Sequence, residues 1–279
     1  MVENRKGLDL FCHAMLIAGM LVVAFPLYLM FAAASQDADQ VTRVPLSLLP
    51  GSQLWANLST VLWSGSGGLA VPLATTLWNS FVMAMLIAVG KIVISFLSAY
   101  AIVYFRFPLR KTGFALIFAT LMLPVEVRIF PTVEVVTKMG LINSYTGLTL
   151  PLIASATATF LLRQFFMTLP KELMEASRVD GAGPIRFMID VVLPLSRTNI
   201  AALFVITFIY GWNQYLWPLL VTHDPAMSTS VIAIKGMLGE GAVQWHLVMA
   251  SALLTLLPPL AVVIGMQRWF VKGLVDNEK

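Results

Sequence analysis

Long apolar runs, each about the length that crosses a hydrocarbon core, constrain this chain most. A spanning helix needs about 20 apolar residues, because the core is roughly 30 Å thick and a helix rises about 1.5 Å per residue. Six stretches meet that length: 11–34, 77–104, 113–135, 145–166, 200–221 and 246–267. The fourth is rich in Ala, Thr and Ser, which suits close packing inside a bundle. Charged residues make up only 11% of the chain, against about a quarter in soluble domains, too few to cover a globular surface. The expected fold is all-α and integral to the membrane: one transmembrane domain over 1–279 with six transmembrane helices.

Lys and Arg set the expected orientation. Arg5 and Lys6, then Arg106, Arg110 and Lys111, then Arg163, Lys171, Arg178, Arg186 and Arg197, and finally Arg268, Lys272 and Lys279 all fall on one side. The other side holds Arg43, Lys138 and Lys235. The positive-inside rule puts both termini in the cytoplasm. Trp63, Trp78, Trp245 and Trp269 fall near span ends, where interfacial aromatics belong. Arg5, Lys6, an apolar run and Ala32-Ala33-Ala34 also fit a signal peptide with a cleavage site. The run exceeds 20 residues, whereas signal cores are about 7–15, so the first helix is expected to be retained.

The same residues exclude several classes. A single cysteine, Cys12, allows no internal disulfide, and the three histidines His13, His223 and His246 form no metal-ligand spacing. The net charge of +4 is spread between apolar runs and forms no patch for nucleic acid. There is no Gly-x-x-x-x-Gly-Lys-Ser/Thr loop: Gly65 to Gly68 is glycine-rich but lacks the lysine. No Ser/His, paired-Asp or His-Glu-x-x-His arrangement supports an intramembrane enzyme. Asn57-Leu58-Ser59 matches a glycosylation acceptor, a pattern common by chance.

The informative polar stretch is 168–194. Thr168 is placed to cap a short helix, Pro170 suits its first turn, and Glu172 and Glu175 favour its positive end. Gly181 suits a left-handed stop, Pro184 begins a second short helix, and Pro194 ends it. Glu175-Ala176-Ser177, Gly181 and Val191-x-Leu193-Pro194 resemble the EAA loop of ABC importer permeases, whose pattern is Glu-Ala-Ala, Gly, then Ile-x-Leu-Pro at this spacing. Ser177 and Val191 depart from it by small changes. Leu162-Arg163-Gln164-Phe165-Phe166, Asp180-Gly181-Ala182, Asn79-Ser80, Trp212-Asn213-Gln214 and Leu216-Trp217-Pro218 look like the carbohydrate-uptake branch. Phe105 to Arg110, Leu121 to Glu134 and Gly273 to Asp276 narrow the likeness to permeases for sn-glycerol 3-phosphate.

The resemblance, which runs over nearly the whole chain, implies a type I ABC importer permease in a bacterial inner membrane. Its helix around Glu175 would sit in a cleft of a separate ATPase subunit, with Gly181 giving the corner and Glu175, Ala176, Ser177 and Asp180 forming the contact. The implied partners are ABC ATPase subunits carrying ATP and Mg, a second homologous permease, an extracytoplasmic substrate-binding protein, and membrane lipid. The chain itself would be non-catalytic and bind no cofactor.

Ionisable residues at membrane depth cost at least about 2.5–3.5 kcal/mol for Lys or Arg near the centre. Lys91 falls in the second span, and Glu126 and Arg128 fall in the third between Pro124 and Pro131, where a kink is expected. Internal pairing is one reading: Arg128 with Glu126 or Glu134, and Lys91 with Glu126 or a helix-end carbonyl. The other is a positive zone for a substrate phosphate, which needs cations once water is stripped away. Trp212, Asn213, Gln214 and Tyr215 suit polyol recognition, or alternatively helix–helix hydrogen bonding and an interfacial belt. The rivals are a neutral-oligosaccharide permease of the same family and an ion-coupled secondary transporter using Lys91, Glu126 and Arg128 as a relay.

Overall fold

The computed structural model describes residues 6–45, 47–120, 125–239 and 242–275, with the side chains of 6, 125–126 and 268–275 outside the description. Arg5, Pro124, Lys279 and the side chains of Glu126, Arg268, Trp269 and Lys272 thus lie outside the described residues. The secondary structure of the described residues is helical: α1 (Lys6–Ser35), α2 (Ala38–Val41), α3 (Leu54–Trp63), α4 (Leu73–Tyr104), α5 (Arg110–Ala119), α6 (Val125–Lys138), α7 (Tyr145–Thr149) and α8 (Ala156–Thr168) come first. Then follow α9 (Lys171–Val179), α10 (Pro184–Phe187), α11 (Leu193–Leu195), α12 (Arg197–Trp212), α13 (Leu216–Val221), α14 (Ser230–Gly236) and α15 (Trp245–Val275).

Among the described residues, α1, α4 and the Trp245–Gln267 part of α15 are long and apolar enough to span. Among the described residues, none of the other expected spans is a single helix. The third falls on α5 and α6, on either side of residues 121–124. Pro131 lies inside α6, which continues through it. The fourth is broken between Leu152 and Ala156, with a bend of 49°. Ser155 causes the break: its hydroxyl accepts from Ala158 N–H at 3.2 Å and restarts the helix as α8. The fifth stops at Asn213 and resumes as α13, while its start is joined to Pro184–Leu195 through a 73° bend.

Contacts divide the chain into two compact units, 1–74 with 233–256, and 75–232 with 257–279. In the first, α1 leaves its most apolar stretch unburied, the pattern of a helix bathed in lipid. Only its C-terminal end is enclosed. The Asn57 amide, on α3, donates to Ala34 O and Gln36 O, both at 2.8 Å. Gln36 Nε2 donates to Ser47 O and Leu49 O. Gly51 N–H donates to Ser35 Oγ at 2.8 Å. A side chain at Gly51 would place Cβ 2.5 Å from Ser35 O, so only glycine fits there. The Asn57 nitrogen is buried and fully used, which removes it as a glycosylation acceptor.

In the second unit, α4 is a continuous rod of 32 residues. Gly211 of α12 meets it where a Cβ would stand 2.9 Å from the Ala84 Cα, so the two helices touch backbone to backbone. Asn79 donates to Ala226 O and Ser228 O and accepts from Tyr145 OH, tying the loop before α14 to α4. An aromatic core of Phe96, Tyr100, Phe166 and Phe187 packs α4, α8 and α10 together.

Two details of 168–194 differ from expectation. Thr168 caps nothing in α9: its hydroxyl turns back to Phe165 O at 2.7 Å, and Pro170 is the N-cap without a side-chain bond. Pro194 does not end the second helix. The backbone widens into a π-turn over Met188–Val192, and the helix continues through Leu195. Proline has no N–H and its ring crowds the carbonyl four residues back, and the wider turn relieves both.

Candidate functional site

Two sites are built on the second unit. The first is the corner between α9 and α10. Glu172 sits in the first turn of α9 and Arg178 in its last, each complementing the helix dipole. The helix ends at Asp180, and Gly181 follows at φ +76 with open space where a Cβ would go. Ala182 N–H donates to Ser177 O at 2.9 Å and Gly181 N–H to Arg178 O at 3.0 Å, the paired bonds of a Schellman stop. Gly183 then caps α10, with Pro184 in its first turn.

The corner is held from behind. Tyr100 OH, on α4, donates to Pro184 O at 2.6 Å. Phe187 is buried against the Tyr104 ring, edge to face at 5.3 Å, and Met174 packs on the same cluster. In front it is bare: Glu175, Ala176 and Asp180 are exposed, Ser177 is half-buried, and Val179 and Ile185 are 88% and 70% exposed. Apolar side chains held out this far on a rigid corner suit a partner surface.

The second site lies along α4. Lys91 is buried, and its ammonium stands 3.5 Å from the centroid of the Tyr210 ring on α12. This cation–π contact is the partner of Lys91 among the described residues; the expected carboxylate, Glu126, has its side chain outside the description. Arg128 is exposed on α6. Glu134 is not its partner: that carboxylate binds Lys138 at 2.6 Å on the exposed face of α6. Trp212 is buried and stacks on Phe208, while Asn213 is exposed at the end of α12. Gln214 is half-buried and donates to Tyr210 O at 3.1 Å. Sequence reasoning missed Tyr210. Its signal was its position four residues before Gln214, one helical turn from the polar cluster already noted.

These features define a membrane permease with a rigid helical corner and a buried cation site. The model of the family described as binding-protein-dependent transport system inner membrane component matches residues 91–276. The chain is 65% identical over 281 aligned positions to the sn-glycerol-3-phosphate transport system permease protein UgpE of Pectobacterium atrosepticum, with 100% of each chain covered. It is 63% identical to the protein of that name from Yersinia enterocolitica and 62% to that from Salmonella typhi, again over the full length of both. A crystal structure of a bacterial ABC transporter involved in the import of the acidic polysaccharide alginate superposes with a TM-score of 0.80 at 19% identity, covering 97% of this chain and 99% of that one. The fold is therefore that of a type I ABC importer permease. The chain belongs to the family of binding-protein-dependent transport system inner membrane components.

Proposed function

We propose that this permease moves sn-glycerol 3-phosphate, or a related glycerophosphodiester, inward across the bacterial inner membrane, with both termini in the cytoplasm. It is driven by separate ATPase subunits that hold the ATP and Mg. Its other partners are a second, homologous permease and an extracytoplasmic binding protein. The relatives named for sn-glycerol 3-phosphate support the substrate, and so does the chemistry of Lys91 and Arg128. A phosphate gains charge-assisted hydrogen bonds from such cations, whereas a neutral oligosaccharide has no use for two of them.

The observation that carries the coupling is that one rod serves both sites. Tyr100, which grips the corner at Pro184 O, and Lys91 lie on the same unbroken α4. They are nine residues apart, about 14 Å along a helix. In this reading the ATPase engages α9 through Glu175, Ala176, Ser177 and Asp180. The Schellman corner at Gly181 transmits the motion to α10, and Tyr100 passes it to α4. Lys91 then moves relative to Tyr210 and Arg128, so its charge is offered to the substrate or returned to the ring. Glu126, Trp212, Asn213 and Gln214 complete the candidate path.

The test is uptake by the assembled transporter. Glycerol 3-phosphate should compete for uptake and maltodextrin should not. Lys91→Gln and Arg128→Gln should each lower uptake at least tenfold while the complex still assembles. Full uptake in both variants refutes the phosphate role, and uptake without an ATPase subunit refutes the coupling.

A further inference from the structure

A cleft of about 1070 Å³ opens beside the corner, between the end of α4, the end of α8 and the side of α9 that carries Lys171, Glu175 and Arg178. It is lined by the cations Arg106, Arg110, Arg163, Lys171 and Arg178, and by a single carboxylate, Glu175. Like charges gathered in one concavity raise its potential and repel one another, a cost that an anion relieves. Among the described residues, none of these cations forms an ion pair within the chain. Arg110 donates to Phe105 O at 3.0 Å. Arg163 stacks over the Phe114 ring at 4.1 Å, yet its Nε is buried with no hydrogen-bond partner.

The walls decide which anion. Ile102, Val103, Phe166 and Met167 line the same cleft, on the last turns of α4 and α8, where the apolar runs stop. Phe105 and Phe107 are exposed beside it. The cleft is thus apolar toward the membrane-spanning ends and cationic toward the polar corner. A soluble phosphate gains nothing from the apolar wall, whereas a phospholipid has a charged headgroup and acyl chains that match both halves. Basic pockets between helices at this level suit anionic headgroups.

We infer that this cleft binds the headgroup of an anionic phospholipid, with Arg106, Arg163 and Arg178 around the phosphate. Lipid bound there touches Arg178 and Glu175 of α9 and Tyr100 and Tyr104 of α4, so the bilayer has a direct hold on the corner. The site is distinct from Lys91, and its test does not depend on what is transported.

The full chain in detergent micelles is supplied with phosphatidylglycerol or phosphatidylcholine, and retained lipid is counted by native mass spectrometry. Phosphatidylglycerol should be retained preferentially. Arg106→Gln and Arg178→Gln, both at exposed positions, should each reduce that preference roughly fivefold. Arg163→Lys, which keeps the charge, should retain most of it. Lys138→Gln, in the exposed pair on α6, should change nothing. Equal retention of the two lipids overturns the proposal, as does a preference that survives loss of both Arg106 and Arg178. Inorganic phosphate displacing the lipid, with the same dependence on these arginines, reassigns the cleft to a soluble anion and overturns the lipid assignment.

Discussion

Residues 35–57 and residues 168–195 are both polar, loop-rich interruptions in an apolar chain, and both turn on a glycine. They are built in opposite ways. In the first, side chains do the closing: Asn57, Gln36 and Ser35 use their polar groups on neighbouring backbone, and Gly51 is fixed by lack of space. In the second, backbone does the closing. The bonds that stop α9 are main-chain bonds, and Gly181 is fixed by its dihedral angle in open space. One segment is sealed on itself and the other is left open. A stretch whose side-chain donors are spent on its own backbone reads as structural, and one that leaves its side chains exposed on a closed corner suits a partner surface.

The largest effect that could break this contrast is at Glu175. Reversing its charge, Glu175→Lys, should weaken association with the ATPase by about 2–5 kcal/mol, as loss of a buried interfacial ion pair does. Thermal stability of the isolated chain should change far less, because the side chain is exposed. A matching fall in melting temperature would make α9 structural after all. Asn57→Ala should do the reverse. It leaves two buried carbonyls unpaired and costs about 1–3 kcal/mol of stability, read as a lower melting temperature in detergent. Transport per folded molecule should stay the same. The smallest effect is expected for Gly181→Ala, which forces a Cβ into the left-handed region for about 1 kcal/mol. Its melting temperature should barely move, while uptake falls further than stability accounts for.

The two segments also show what a sequence can reveal. The corner was legible because its devices are local: Pro170, Gly181 and Pro184 each announce a backbone state within a turn of where it is needed. The spanning helices α1, α4 and α15 were legible because bilayer thickness fixes their length. The breaks at Ser155 and Asn213 were hidden inside runs apolar enough to read as continuous, since one polar cap barely changes a window of 20 residues. The Lys91–Tyr210 contact joins helices distant in sequence, and no periodicity pairs a cation with a ring across that distance. Asn57 matched an acceptor pattern that is common by chance, and its burial was hidden because it depends on the end of α1. Pro194 looked like a stop because a π-turn leaves no signature in composition.

The main-chain closure of α9 has one more consequence. Nothing that stops the helix depends on which residues occupy its outer face, so that face can be rewritten without undoing the corner. A permease of this design can drift with its motor subunit, exchanging one contact pattern for another while the mechanical linkage behind it stays the same. Gly181 and the grip of Tyr100 on Pro184 O are the parts such drift cannot touch.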